Sequence, residues 1–462
     1  MDKTIEDFVR GLELDAYLVG GAVRDELLGL ESKDADFVVP GVDYDGLRRA
    51  LEPYGRVEEL EVAGRRVGAR LYPRDRRVRA AAPAGIEFAP PREEQSTGPG
   101  RHDFVIVANP NLSVEDDMRR RDFTVNAMAR RLADGTIVDP LGGRDDLERG
   151  SLRTVSPRSF QEDPLRIVRG LRFVSQLGLD PDADTLQQMR DEATAVRLVS
   201  GERLGDEVAK LLLGAQPGKA LRLARDTGVL VELLPEIAPS FGFDQESRWH
   251  DLTVDEHTFL VVQAAADERM PLRVRLATLL HDLGKPHVAW RGDDGRLHYY
   301  ARPGFSERAH EEVSADLAAQ ALSRLRYTNE LRARVLAIIR EHAFQLGKLE
   351  PLRARRFLAA HGDELALDLL DHRRADLLGK RPGEPPEEDI SRLAEFRRLV
   401  EAERANPHRL ADLAVDGSDL IDVGYEEGPA IGRTLRALLD EVVEEPQRNE
   451  RAWLLERAKE LR

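Results

Sequence analysis

The spacing of apolar residues changes once along this chain, and that change limits the folds open to it. In the first part, short strand-like apolar runs at 17–19, 36–39 and 104–107 are interleaved with helical stretches. From Glu162 onward the apolar residues recur at helical spacing almost to the C-terminus, broken by Gly and Pro. A mixed domain followed by an all-helical remainder is the expected plan. At 462 residues the chain exceeds one hydrophobic core, so two to four domains are expected. Residues 79–103, rich in Ala, Pro, Gly and Glu, read as including a mobile loop, and Gln216-Pro217-Gly218 as a turn between helices. The segment 381–386 (RPGEPP) reads as a linker, and 424–432 as a glycine-rich break in a helical tail.

Charge narrows the partners. The chain carries 69 Lys plus Arg against 85 Asp plus Glu, a net of −16, which argues against a generic nucleic-acid coat or a basic membrane-surface protein. The excess is local: residues 1–60 and 384–462 each carry −8, while 61–383 balances. Within that balanced stretch, 61–80 holds seven arginines against two acids, so gripping RNA through a local patch remains open. With no cysteine, disulfides, Cys-ligated zinc and thiol catalysis are excluded. No apolar run approaches the roughly 18 residues of a membrane span, and the first ten residues are not a signal peptide, so no membrane association and a cytoplasmic location are expected. Ten of the eleven histidines lie between His250 and His408, which suggests a second kind of chemistry in the second half.

Two constellations carry that chemistry. The first begins at YLVGGAVRD, residues 17–25. An apolar strand running into Gly20-Gly21 brings bare backbone close to a ligand, and backbone N–H groups there suit phosphate oxygens. Arg24 follows on the first helical turn, able to fork onto a phosphate. Asp34 and Asp36 sit two apart at the mouth of the next strand, where alternate residues share a face. Two close carboxylates repel unless a divalent cation lies between them, and oxygen ligands suit Mg²⁺. Paired glycines usually mark a turn and Asp-X-Asp is often a solvated loop; the order and spacing of all four outweigh those bland readings.

GGAVRDELLG followed by DAD resembles the class II nucleotidyltransferases, which comprise CCA-adding tRNA nucleotidyltransferases and bacterial poly(A) polymerases. Four later blocks agree in order: DMRRRDFTVNAM (117–128), DPLGGRDDL (139–147), EDPLRIVR (162–169) and SGERLGDEVAKL (200–211). The resemblance spans roughly the first 235 residues. It implies a catalytic Asp34–Asp36 pair holding Mg²⁺, and nucleotide contacts at Gly20, Gly21, Arg24, Arg121, Asp122 and Asn126. It also implies that Asp163 and Arg166 act as an amino-acid template that accepts CTP or ATP, with Arg169 serving the same nucleotide. Residue chemistry fits: Asp163 and Arg166 are three apart on a predicted helix, and their donors and acceptors suit the edge of a base. An isolated EDxxR would instead be a surface ion pair. The family often has a third acid near a T-x-R-x-E segment; this chain has GIEFAPPREEQS there, and Glu87 is the candidate.

The second constellation is His257, His281-Asp282, His310, His342 and Asp376, with the His-Asp pair in LATLLHDLGKP at the end of an apolar helix. A lone helical histidine is most often packed or at the surface. Six such residues around an HDLGK core point instead to metal ligation by imidazole and carboxylate. This pattern resembles the HD superfamily of metal-dependent phosphohydrolases. That resemblance implies one divalent ion (Ni²⁺, Mn²⁺ or Mg²⁺) on His257, His281, Asp282 and Asp376. His310 and His342 would bind a second ion or the phosphate, and Lys285 is placed to meet a phosphate anion.

Together the resemblances imply an α+β chain: a nucleotidyltransferase palm over 1–150 with a mixed sheet, an all-α neck over 151–245, an all-α HD domain over 246–383 and a helical tail over 384–462. The expected activity is addition of CCA to the tRNA 3′ end from CTP and ATP, plus an HD phosphodiesterase or phosphatase activity, in a monomer or homodimer. The tail, at −8, is expected to meet tRNA by shape or simply to pack. Rival readings are a poly(A) polymerase or partial CC- or A-adding enzyme, a protein-uridylylating regulator, and an inactive transferase module serving an HD hydrolase.

Overall fold

The computed structural model describes residues 1–31, 35–62, 65–96, 104–246, 252–293, 295–380 and 386–462. They fall into two units, Met1–Pro235 and Glu236–Arg462. The fold is α+β, as the change in apolar period predicts: a sheet with helices first, then a helical body.

Nine of the strands of the first unit are β1 (Tyr17–Val19), β2 (Asp36–Val38), β3 (Gly55–Val62), β4 (Arg65–Pro73), β5 (Ile86–Ala89), β6 (Arg92–Ser96), β7 (Phe104–Ala108), β8 (Ala129–Arg131) and β9 (Ile137–Val138). Seven of them form one sheet in the order β3-β4-β5-β2-β1-β8-β9, while β6 and β7 pair separately. Within the sheet β2 and β5 run parallel, and the other neighbours are antiparallel.

Alternation along the strands supplies a core on each face of the sheet. Leu18, Phe37 and Phe88 enter one core with Ile5, Leu47 and Leu71. Val19 and Val38 enter a smaller one with Val114, Met118 and Ala129. Phe37 and Phe88 stack across neighbouring strands at 5.4 Å, and burial of each contributes roughly 2–3 kcal/mol. By the same alternation Asp36 shares a face with Val38, and Glu87 lies opposite in sense to Phe88. Both acids therefore belong to the face of the smaller core. The apolar positions thus fix where the acids point.

Of the segment expected to include a mobile loop, the described residues are mostly regular. It holds the end of the Arg76–Ala81 helix and both β5 and β6, with Pro90 and Pro91 between the two strands where no ladder hydrogen bond is lost. Its remainder, 97–103, lies outside the described residues. Past the sheet, the Leu165–Leu177 helix packs on the helices Gly201–Leu212 and Pro217–Asp226. Pro217 takes the first helical position, where a missing N–H costs nothing.

The second unit is built from the helices Val254–Asp267, Leu272–Leu280, His310–Arg324, Asn329–Glu341 and Pro351–Leu378, followed by Glu387–Glu403 and a helical tail. Val254–Asp267 and Leu272–Leu280 are apolar nearly all round and buried accordingly. Among the described residues of this unit, a small hairpin, Trp290–Arg291 with Leu297–His298, departs from the helical expectation. Leu420, Leu438 and Leu454 form the core of the tail. Arg355 ties that tail to the long helix by donating to the carbonyls of Val443 and Glu444 at 2.6 and 3.0 Å, partners for the C-terminal carbonyls of the Pro429–Glu444 helix. The expected linker falls largely in 381–385, outside the described residues. Among the described residues no helix is long and apolar enough to cross a membrane.

Candidate active sites

In the first unit the chain turns from β1 into the helix Gly21–Leu27 at Gly20, whose φ of 70° favours glycine. A Cβ on Gly20 would lie 2.5 Å from Arg121 Nη1, so the bare residue also lets Arg121 approach the turn. Arg24 donates to Asn126 Oδ1 at 2.6 Å and to Asp25. Asn126 in turn donates to Asp122 Oδ1 at 3.2 Å, and Arg169 grips Asp122 Oδ2 with Nε and Nη2 at 2.8 and 2.6 Å. Burial alone pushes the Asp122 carboxyl up, but the Arg169 charge and fork, with Asn126 and the Phe123 amide, override it and hold it at about 2. One polar chain thus joins Arg24, Asn126, Asp122 and Arg169, residues far apart in sequence.

Asp36 and Glu87 occupy paired positions on the parallel strands β2 and β5, so the third-acid candidate lies beside an aspartate of the expected pair. The other aspartate, Asp34, lies outside the described residues. Glu87 is held by Arg70 from β4, whose Nε donates to Oε1 at 3.1 Å. Oxygen donors side by side on neighbouring strands fit a hard cation such as Mg²⁺.

Asp163 and Arg166 are not the helical i,i+3 pair that their spacing predicts. Asp163 ends the short helix Ser159–Glu162 with extended backbone, and its Oδ1 accepts from the amide of Leu165 at 3.1 Å. Its Oδ2 accepts from Arg203 at 2.9 Å. Arg166 donates to Ser159, Glu162 and the Arg120 carbonyl. The proline between them, Pro164, breaks the helix at this point, which the period of the apolar residues did not reveal. Both side chains nevertheless line one cavity of about 920 Å³, together with Gly20, Gly21, Arg24, Asp36, Glu87, Arg121, Asp122, Asn126 and Arg169. Arg70, Arg92, Arg120, Arg172, Arg203 and Lys210 add further positive charge to its wall, the chemistry of a polyanion site inside an acidic chain. Sequence reasoning assigned no role to Arg70 or Arg203. Arg70 stood in the basic block at 61–80 and Arg203 in the SGERLGDEVAKL block.

In the second unit two triads gather donor atoms within 4.8 Å of one another: His257 with His281 and Asp376, and Asp282 with His310 and His342. All six expected residues therefore meet, with Asp282 Oδ2 also 3.1 Å from His281 Nε2 and 3.7 Å from His257 Nε2. The backbone orients the rings. Nδ1 of His257 lies 3.2 Å from the Gly379 carbonyl, that of His281 2.9 Å from Thr278, and that of His342 2.7 Å from Ile339. Each Nδ1–H donates to that oxygen, leaving Nε2 for the centre. Gly284 allows the His281-Asp282 corner to approach the next helix, since a Cβ there would collide with the His310 carbonyl.

Burial alone pushes Asp282 up, but the charges of His281 and Lys285 override it and hold it well below the usual carboxylate range. Burial, backed by the neighbouring imidazoles, holds His342 neutral. Nitrogen and oxygen donors together fit a borderline transition ion better than a hard one. Lys285 is not turned to an outside phosphate as expected: it is buried and donates to Asp282 at 2.7 Å and Gln245 at 2.8 Å. Sequence reasoning passed over His372, which is fully buried against the rings of His281 and His342; its position one helical turn before Asp376 was the available signal.

Comparison with known proteins agrees with this geometry. The family models that match are the poly A polymerase head domain over 16–153, the probable RNA and SrmB-binding site of polymerase A over 178–241, the HD domain over 254–396 and the putative tRNA nucleotidyltransferase domain 2 over 395–458. A multifunctional CCA protein of Dechloromonas aromatica (strain RCB) is 32% identical over 451 residues, covering 94% of this chain and 100% of that protein. Another, from Azoarcus sp. (strain BH72), is 38% identical over 387 residues, 80% of this chain and 85% of its own. Among solved structures, the Bacillus stearothermophilus CCA-adding enzyme in complex with CTP superposes with a TM-score of 0.68 at 26% identity, covering 99% of this chain and 96% of that one. The Thermotoga maritima CCA-adding enzyme complexed with tRNA shares the fold, with a TM-score of 0.62 at 21% identity and coverage of 100% and 97%.

Proposed function

The chain belongs to the multifunctional CCA protein family of CCA-adding tRNA nucleotidyltransferases, and from that premise we propose how its residues share the work. The activity is addition of CCA to the 3′ end of tRNA from CTP and ATP, with pyrophosphate as the leaving group. Poly(A) addition and protein uridylylation are not favoured, because the relatives that match along nearly the whole chain are CCA proteins.

The nucleotide phosphates would rest on Arg24 and Arg121 beside the Gly20-Gly21 turn. Asp163 and Arg166 would meet the edge of the base, with Arg203 and the Leu165 amide holding Asp163 in one orientation. Asp122 would keep Asn126 and Arg169 in place through its hydrogen bonds to both. Asp36, with Asp34 and Glu87, would hold Mg²⁺, which when bound supplies charge neutralisation at the triphosphate and activation of the tRNA 3′-hydroxyl. That hydroxyl oxygen bonds to the α-phosphorus as the bond to pyrophosphate breaks. The positive wall of the cavity stabilises the charge that develops.

In the second unit His257, His281, Asp282 and Asp376 would hold a divalent ion, with His310 and His342 beside them for a second ion or a phosphate. Ni²⁺ or Mn²⁺ suits this donor set better than Mg²⁺; when bound, such an ion supplies the Lewis acidity for attack of water on a phosphoester. Lys285 would hold Asp282 in place. The domain division at 150, 245 and 383 and a cytoplasmic site of action complete the reading.

The observation that carries it is the side-by-side register of Asp36 and Glu87 at the edge of an arginine-lined cavity. Asp36→Asn is expected to lower incorporation of labelled CTP into tRNA lacking CCA by about a thousandfold or more. Incorporation within tenfold of the unmodified protein would refute the assignment.

A further inference from the structure

His372 lies in the Pro351–Leu378 helix, four residues before Asp376, so the two side chains leave the helix on one face. It is fully buried, and among the described residues neither ring nitrogen has a hydrogen-bond partner. The other four histidines of the centre each have Nδ1 beside an oxygen: a carbonyl for His257, His281 and His342, and the Glu311 carboxylate for His310. A buried polar group without a partner is rare in a folded protein and calls for something that binds there.

Ring spacing points to what that is. Two imidazoles on one ion, with metal–nitrogen bonds of about 2.1 Å, have centroids roughly 4.5–5.2 Å apart. Among the candidate ligands the centroids are 5.1 Å apart for His310 and His342, 5.2 Å for His281 and His342, and 5.7 Å for His257 and His281. His372 is 5.0 Å from His281 and 5.4 Å from His342, so it stands as near these rings as they stand to one another, although it belongs to neither triad. A side chain kept for packing alone would be served better by leucine, which fills similar space and leaves nothing unsatisfied.

We propose that His372 is a further nitrogen donor to the metal centre of the second unit, paired on its helix with Asp376. The proposal rests on the reading of that unit as a metal site. A fifth imidazole beside two carboxylates shifts the donor set further toward transition ions and away from Mg²⁺.

Titration of the full-length, metal-stripped protein with Co²⁺ tests this, followed by calorimetry and by visible absorption, which reports the number and kind of donors. His372→Leu is expected to weaken Co²⁺ binding about tenfold or more and to shift the absorption bands, while CCA addition by the same preparation stays within twofold. His372→Gln, which keeps a polar group without an imidazole, is expected to show the same spectral shift and covers the case in which the leucine variant does not fold. Affinity and spectrum equal to the unmodified protein in either folded variant would overturn the proposal. An unmodified protein that takes up no Co²⁺ would instead overturn the reading of the metal centre itself.

Discussion

In the cavity of the first unit the charged side chains are largely satisfied by one another. Arg24 has Asp25 and Asn126, Arg169 has Asp122, Arg203 has Asp163 and Arg70 has Glu87. In the histidine cluster of the second unit the backbone takes one side of three rings, and the remaining nitrogens face carboxylates and one another. The first arrangement is an open wall of exchangeable ion pairs, suited to a large polyanion that arrives and departs with each cycle. The second is a closed set of imidazole and carboxylate donors whose cost of burial a bound ion would offset. On the proposed reading, arginine forks and Mg²⁺ would meet phosphate in one unit, and a histidine–carboxylate metal centre would meet it in the other.

The largest effect that would break this division is expected from Asp282→Asn. It should lower hydrolysis of a 2′,3′-cyclic phosphodiester by about a thousandfold and leave CCA addition within twofold, both measured on one preparation. A parallel loss of CCA addition would show that the two sites are not separate. Next in size is Arg203→Ala, which frees Asp163 without touching the metal-binding acids. Discrimination of CTP over UTP should fall about tenfold as the base-reading edge loses its fixed orientation. Unchanged selectivity in single-nucleotide incorporation assays would remove Asp163 from that role.

The sequence patterns that could be read in advance were those whose spacing maps directly onto local geometry. The change from strand to helical period predicted the sheet followed by helices, and the strand expected over 36–39 is β2, which carries Asp36. Six of the seven members of the histidine cluster followed from an ordered pattern of residue types. What escaped depends on contacts between distant segments. Pro164 placed Asp163 at a junction, so its partner became Arg203 rather than Arg166, and no periodicity encodes that exchange. Arg70 meets Glu87 across the β4–β5 pair, a matter of register that a single strand does not reveal. His372 was passed over: its spacing from Asp376 was legible, but its burial against the other rings was not.

The smallest effect concerns stability. The Asp122 carboxyl drops from 3.8 to about 2 on folding, so its ionised form stabilises the fold by about 2 kcal/mol at neutral pH. Because the folded value is the lower one, that contribution is complete above about pH 4 and is lost as pH falls toward 2. Asp122→Asn should therefore unfold at lower denaturant concentration at pH 7, and the gap should close between pH 4 and pH 2. A gap independent of pH would mean that the asparagine acts through packing rather than through the Arg169 pair.

The most direct measurement offers all four nucleoside triphosphates with Mg²⁺ to tRNA ending before the first C, after CC and after CCA, and sequences the products. The account predicts C, C and A on the first, A alone on the second and nothing on the third. A growing run of adenylates on any of them, or uridylate and guanylate incorporated as readily as cytidylate, would contradict it.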